Sequence, residues 1–509
     1  MFRAMPLFHT QSAAVYGIDA HLIDVEVDAY CGDPGIFITV GMPDTAVKES
    51  RERIKAAIVN SGLGYLSTSI TINLAPADVK KEGAGFDLPM AMGILGAMGA
   101  VTNGKPLLLA GELALDGMLR PVRGALPMAI LARDRGISTV LLPVENAREA
   151  SVVDGIRVYG LRHLSEVVAY FQNPARFTPV QPLLPDLTNH DAIDPDFRDV
   201  RGQTIAKRAL EVAAAGGHNV LMIGPPGSGK TMLAKRFPGI LPPITFPEAL
   251  ETTKIYSISG RLGRDNSFIT QRPFRAPHHT ISDAGLIGGG VGVPKPGEVS
   301  FAHNGVLFLD ELPEFPRSVL ELLRQPLEDG EVILARSQLT LRFPSRFSLI
   351  AAMNPCPCGF YGDDQRECRC TGAMIQRYLG RVSGPLLDRI DIHVSVPTVP
   401  YKELRSREET EGSHRMRERV MAARERQMQR GFVNAAIPSK QLRQFCELDE
   451  PGERSLEMAM RKLGLSARAH DRLLKVARTI ADIEGSEQVR GKHIAEAVQY
   501  RSLDRKYWA

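Results

Sequence analysis

The pattern of apolar and polar positions changes character twice along the chain. In the first 175 residues, short β-rich runs (Leu22–Val27, Phe37–Val40, Ser69–Leu74, Thr139–Pro143) alternate with stretches of helical spacing (Thr45–Ser61, Gly85–Met98). That alternation predicts an α/β domain. Residues 172–197 hold five prolines and no sustained period. Proline blocks helix and sheet interiors, so a linker is expected at 176–197. Next, Asn219–Ile223 reads as an apolar strand feeding a glycine-rich turn and a helix from Lys230. Beyond residue 400 the β-branched runs fade. Arg/Glu-rich helical segments follow at 402–430, 451–463, 466–484 and 489–501, which predicts an all-helical unit. The expected division is 1–175, linker 176–197, 198–398 and 399–509. The fold class is α/β: an N-terminal α+β domain, a central parallel-sheet domain and a C-terminal helical lid.

Composition narrows the class. The longest uncharged apolar run, Leu88–Val101, has 14 residues with Pro89 and three glycines inside it. That is too short to span a bilayer and reads as a buried helix. The stretch Met1–Pro6 lacks a signal-peptide core. Six cysteines in 509 residues, four of them clustered, suit a reducing cytoplasm and a metal site rather than a disulfide scaffold. The net charge of +4 identifies no partner, but it is unevenly spread. Residues 1–175 carry 15 basic and 18 acidic side chains (−3); residues 400–509 carry 23 and 17 (+6).

Gly224-Pro225-Pro226-Gly227-Ser228-Gly229-Lys230-Thr231 fits G-x-x-x-x-G-K-[ST] in full. The glycines let backbone N–H groups converge on phosphate oxygens, and the helix that follows adds its positive end. Lys230 is expected on the β- and γ-phosphates of ATP, and Thr231 on Mg²⁺. Gly305–Leu309 reads as a buried strand ending in Asp310, for the Mg²⁺ shell, and Glu311, to polarise the attacking water. Leu349–Asn354 is a further apolar strand ending in an amide.

These elements resemble AAA+ ATPases. In that resemblance Asn354 is the sensor 1 residue that holds the hydrolytic water. Leu386-Leu-Asp-Arg389-Ile-Asp391 is the arginine-finger segment, and Ser466-Ala-Arg468 is the sensor 2 segment on the lid. A finger acting on the neighbour's γ-phosphate implies a homo-oligomeric, typically hexameric, ring. A long insert, Thr253–His303, carries Arg272-Pro-Phe-Arg275-Ala-Pro-His278-His279. A helix is expected at Pro316–Leu327, and Glu331–Phe343 reads as a β-hairpin with Arg336 at its tip. This arrangement resembles the magnesium-chelatase motor subunit and the replicative helicases, where both elements line the central channel. Arg336, Arg272 and Arg275 are the candidate DNA contacts, with surface ion pairs as the alternative. His278 and His279 suit metal ligation, DNA contact or local hydrogen bonds.

The resemblance that covers essentially the whole chain is to the YifB/ComM family of Mg-chelatase-like AAA+ proteins. It is carried by RPFRAPHHTISDAGLIGGG, PGEVSFAHNGVLFLDELPEF, AAMNPCPCG, SGPLLDRID and LKVARTIADIEG. It implies an ATP-driven ring helicase promoting branch migration on single-stranded or branched DNA during natural transformation. The alternatives are a chelatase-type motor remodelling a protein partner and an ATP-dependent protease. Residues 80–88 and 111–124 resemble the proteolytic domain of Lon. There the serine position falls on Gly85 and the lysine position on Leu126, which supports that fold and argues against peptidase activity. Lys48, Arg51, Arg53 and Lys55 read as a solvated helix face.

Cys356, Cys358, Cys368 and Cys370 form C-x-C, nine residues, C-x-C. Four thiolates so close suit tetrahedral Zn²⁺; free or disulfide-forming thiols and an iron–sulfur cluster are the other readings. Cys31 and Cys446 stand alone and read as core residues.

Overall fold

A computed structural model describes residues 7–30, 36–64, 68–102, 105–182, 195–263, 267–290, 292–336, 339–363, 365–405, 410–463 and 466–508. Two compact units emerge: residues 1–186 with 247–270, and residues 187–246 with 271–509. The segment 247–270, which the sequence places inside the central 198–398 domain, is therefore part of the N-terminal unit. The helix Phe246–Ser259 supplies the reason. Its Ser257 carbonyl accepts from Gly124 N at 3.1 Å, and its Ser257 hydroxyl donates to the buried Glu149 at 3.2 Å.

In the N-terminal unit the expected strands sit in one seven-stranded sheet. Its order is Phe37–Val40, Ser69–Ala75, Asp19–Tyr30, Phe8–Tyr16, Leu108–Leu109, Thr139–Pro143, Arg157–Leu161. Phe8–Tyr16, absent from the sequence reading, pairs antiparallel with Asp19–Tyr30 over its full length. The helix Asp87–Ala97 is buried at every position, as its uncharged run requires. Asp87 opens that helix and is fully buried. Its Oδ2 takes a 2.8 Å bond from Arg53 Nε and a 3.2 Å bond from Leu113 N. Burial lifts the Asp87 carboxyl to about 6, although the guanidinium pulls it down. Arg53 thus leaves the solvated face expected of it. Arg53→Met should strand a buried carboxylate and cost about 3–5 kcal/mol, read as a lowered denaturation midpoint. Leu126, the expected lysine position of the Lon resemblance, is fully buried.

In the second unit five parallel strands run in the order Phe274–Arg275, Val306–Leu309, Ser348–Met353, Val220–Ile223, Ile392–Ser395. Nearly continuous apolar strands buried on both faces are what a parallel sheet demands. The expected helix Pro316–Leu327 is instead two, Arg317–Leu322 and Arg324–Asp329. Pro326 lacks an N–H and crowds the carbonyl four residues back, so one continuous helix cannot form. The hairpin is present: Glu331–Arg336 pairs antiparallel with Leu339–Pro344, Arg336 opposite Leu339. The C-terminal segments are helical, and their apolar faces share one core with the sheet, from Val220 and Ile392 to Leu473 and Ile480. Residues 183–194 of the expected linker, and Cys31, lie outside the described residues; Cys446 is buried. No helix among the described residues is long and apolar enough to cross a membrane.

Candidate nucleotide site

Register assembles the site. Val220–Ile223 pairs in parallel with Ile350–Met353, and Leu309 lies opposite Ala351. Gly224, Asn354 and Asp310 therefore leave the sheet side by side at its carboxyl edge, where parallel sheets open a crevice for ligands. Gly224 has no room for a side chain: a Cβ would stand 2.0 Å from the Val396 carbonyl oxygen. Gly227 and Gly229 adopt φ of +76° and +95°, which glycine permits. Lys230 then opens the helix Lys230–Arg236.

Lys230 is 7% exposed. Its Nζ donates to the carbonyls of Gly224 (2.8 Å) and Pro225 (2.9 Å) and to Asn354 Oδ1 (3.2 Å). Thr231 Oγ1 donates to Asp310 Oδ2 at 2.7 Å, and Glu311 N donates to Asp310 Oδ1 at 2.9 Å. A hydroxyl beside a carboxylate is a hard-oxygen donor pair that fits Mg²⁺. Ser228 Oγ is buried without a hydrogen-bond partner in the chain, which leaves it for a phosphate oxygen. The residues present thus fit Mg²⁺ and a triphosphate, which when bound would place a polarised γ-phosphoryl group before Glu311.

Burial pushes the Lys230 ammonium down to about 8, while Asp310 and Glu311 pull it up. A polyphosphate adds negative charge and favours the protonated form. Above pH 8 the lysine of the nucleotide-free protein is largely neutral, so binding must take up a proton and affinity must fall as pH rises. Calorimetric titration with ATP at pH 9, in buffers of different ionisation enthalpy, should show net uptake. Zero uptake there would contradict this assignment.

Two contacts made by the expected site residues carry no local sequence signal. His279 Nδ1 lies 3.4 Å from Glu311 Oε2, so the insert touches the carboxylate expected to polarise the attacking water. Glu311 itself has φ +52°. Glu328 binds the Arg389 guanidinium, and Arg389 also donates to the Pro385 carbonyl at 2.7 Å. Burial and this pairing leave Arg389 11% exposed at its side chain; the same bond holds the Glu328 carboxyl below its usual range. Arg389 and Arg468 line one cleft of about 480 Å³ with Arg346, Arg472 and Lys475. Neither the phosphate loop, Asp310 nor Glu311 lines it. Arg478, on the same helix as Arg468, is committed to Asp482 and the Ser486 and Glu487 carbonyls.

The insert arginines have intramolecular partners. Arg272 donates to the carbonyls of Pro242, Pro243 and Asn304, and Arg275 forms a two-point bridge to Glu298 at 2.6 and 2.9 Å. His278 bonds Thr280. Arg336 ends its strand, and its side chain lies outside the described residues. Cys356, Cys358, Cys368 and Cys370 bring their sulfurs within 4.8 Å of one another.

Comparison with known proteins decides the family. The pattern of magnesium chelatase subunit ChlI matches residues 196–404, its C-terminal pattern residues 410–501, and a further ChlI pattern residues 25–146. Competence protein ComM of Haemophilus influenzae is 45% identical over 512 residues, 98% of each chain. The chain belongs to the YifB/ComM family. YifB of Escherichia coli K12 is likewise 45% identical over 506 residues, covering 99% of this chain and 98% of that one. Lon protease 2 of Bacillus subtilis is 24% identical over 172 residues, 30% of this chain and 31% of that protein, so the N-terminal region is Lon-like. As a YifB/ComM protein the chain is an AAA+ ATPase that uses ATP and Mg²⁺.

Proposed function

We propose that this ATPase is a hexameric ring motor that moves DNA through its channel and drives branch migration during DNA integration. One observation carries the ring: Arg389 and Arg468 line a cleft that none of the chain's own phosphate-loop residues lines. Two cations gathered in a cleft without the chain's own phosphate loop support a role on a neighbour's nucleotide. The hairpin Glu331–Pro344 supports a channel contact, with Arg336 at the phosphate backbone. Arg272 and Arg275 instead hold the insert in shape. The 45% identical relative named for competence fits DNA as the client. Gly85 and Leu126 supply no nucleophile and no base, so the N-terminal region has no peptidase role. Zn²⁺ on the four cysteines is structural.

The test is ATP hydrolysis with and without forked or single-stranded DNA, followed by a labelled four-strand branch-migration assay. Stimulation by DNA and ATP-dependent strand exchange are expected. Hydrolysis indifferent to DNA, with no exchange, rejects the reading. His279 links insert to Glu311, so His279→Ala should narrow the ratio of DNA-stimulated to basal turnover. The ChlI patterns favour a second reading, a chelatase-type motor acting on a protein partner. Capture of a porphyrin-metallating enzyme, without DNA stimulation, would select it.

A further inference from the structure

The cysteine loop touches the nucleotide site. It leaves the strand Ser348–Met353 directly after Asn354, the residue that accepts from Lys230. Gly359, between the second cysteine and the rest of the loop, closes a turn by donating to the Cys356 carbonyl at 3.0 Å. It lies flat on the phosphate loop: a Cβ at Gly359 would stand 2.4 Å from Pro226 Cδ and 2.7 Å from Cγ. Farther along, the Tyr361 ring meets Tyr507 of the C-terminal helix edge-on at 6.2 Å. The loop is thus anchored at the sensor strand and the C-terminal helix, and its turn forms a wall against Pro226.

The sulfurs have the spacing of one ion. Tetrahedral Zn–S bonds of about 2.3 Å imply sulfurs about 3.8 Å apart. Cys356–Cys358 is 3.3 Å, and Cys368 is 3.7 Å from each. None of the four is in a disulfide. A cluster spreads its thiolates over several irons, which four sulfurs within 4.8 Å do not accommodate. Cys368 Sγ also accepts from Cys370 N at 3.5 Å.

We infer that the metal-bound cysteine knuckle is the wall that keeps the phosphate loop in its anion-binding shape, so that metal occupancy sets ATP affinity. Without the ion, four thiols that close have nothing to hold them, the turn at Gly359 loses its anchor, and Pro226 loses its support. The loop's N–H groups then no longer converge before nucleotide arrives, and the ordering must be supplied by binding. The inference rests on the nucleotide and Zn²⁺ readings above and is independent of the DNA client.

The experiment uses the full chain. Elemental analysis should find one Zn²⁺ per chain, lost on chelation or in Cys368→Ser/Cys370→Ser. A fluorescent ATP analogue should bind the stripped protein about tenfold or more weakly, with affinity restored by added Zn²⁺ and far-UV circular dichroism unchanged. Gly359→Ala should keep its Zn²⁺ yet bind nucleotide similarly weakly, because a side chain at φ +86° strains the turn and its methyl displaces Pro226. Lys230→Ala is the control: nucleotide binding unaffected there means the nucleotide site itself is misassigned. Absence of Zn²⁺ from protein purified with zinc rejects the metal. Zn²⁺ present but affinity unchanged on its removal rejects the coupling alone. Should the stripped protein unfold, Gly359→Ala in the metal-loaded protein decides: unaltered affinity overturns the inference.

Discussion

Lys230→Ala should abolish nucleotide binding and turnover together. Lys230 is a nearly buried cation held by two backbone carbonyls and Asn354 Oδ1. It faces Asp310 and Glu311, which raise its proton affinity. Removing it strands three acceptors and leaves two carboxylates facing an incoming polyphosphate. Truncating a buried, hydrogen-bonded charge costs about 2–5 kcal/mol, which is about 30- to 5,000-fold in Kd. Fluorescent-nucleotide titration and phosphate release measure it. Near-normal affinity in the variant, or strand displacement without the lysine, would remove the motor assignment. Lys230→Arg should not rescue, because a planar fork cannot take the place of a compact ammonium in this pocket.

Arg389→Ala should separate binding from chemistry. ATP affinity should persist while kcat falls by about 10³- to 10⁵-fold, the range an arginine finger supplies. Because Arg389 lines a cleft that its own phosphate loop does not line, the defect should be complemented across subunits. Mixing Arg389→Ala with Glu311→Gln should restore part of the hydrolysis, since some interfaces then pair an intact Glu311 with an intact Arg389. Absence of rescue at every ratio would place the finger in cis or deny it a role. In the single chain Arg389 is bound to Glu328, so a finger role would require a neighbour's γ-phosphate to displace that carboxylate.

Much of the site was legible in local sequence. The phosphate loop declares itself because its work is done by eight consecutive residues whose conformations only glycine and a following helix permit. Asp310–Glu311 and Asn354 are readable as polar ends of apolar strands, since a buried strand can place a carboxylate in the crevice only at its last position. The cysteine spacing is likewise local. By contrast, the strand Phe8–Tyr16 and the helix break at Leu323 depart from what the sequence pattern predicts. The first is defined by a partner strand. The second turns on Pro326, which stands within the helix Arg324–Asp329. Arg53, read as part of a solvated face, is bound to Asp87, 34 residues away.

The chain's linear order alone determined that this protein binds a nucleoside triphosphate over a parallel sheet, carries a helical C-terminal region and holds four thiols within reach of one another. Those properties come from short-range geometry: backbone freedom at glycine, periodicity of apolar side chains and close cysteine spacing. Only the tertiary structure decided that residues 247–270 join the N-terminal unit, that Arg272 and Arg275 have internal partners, that His279 reaches Glu311, and that Gly359 lies on Pro226. Each of these depends on which distant segments the fold packs together. An arginine's partner is set by the acceptors the fold brings to it, and no pattern in its own neighbourhood encodes that.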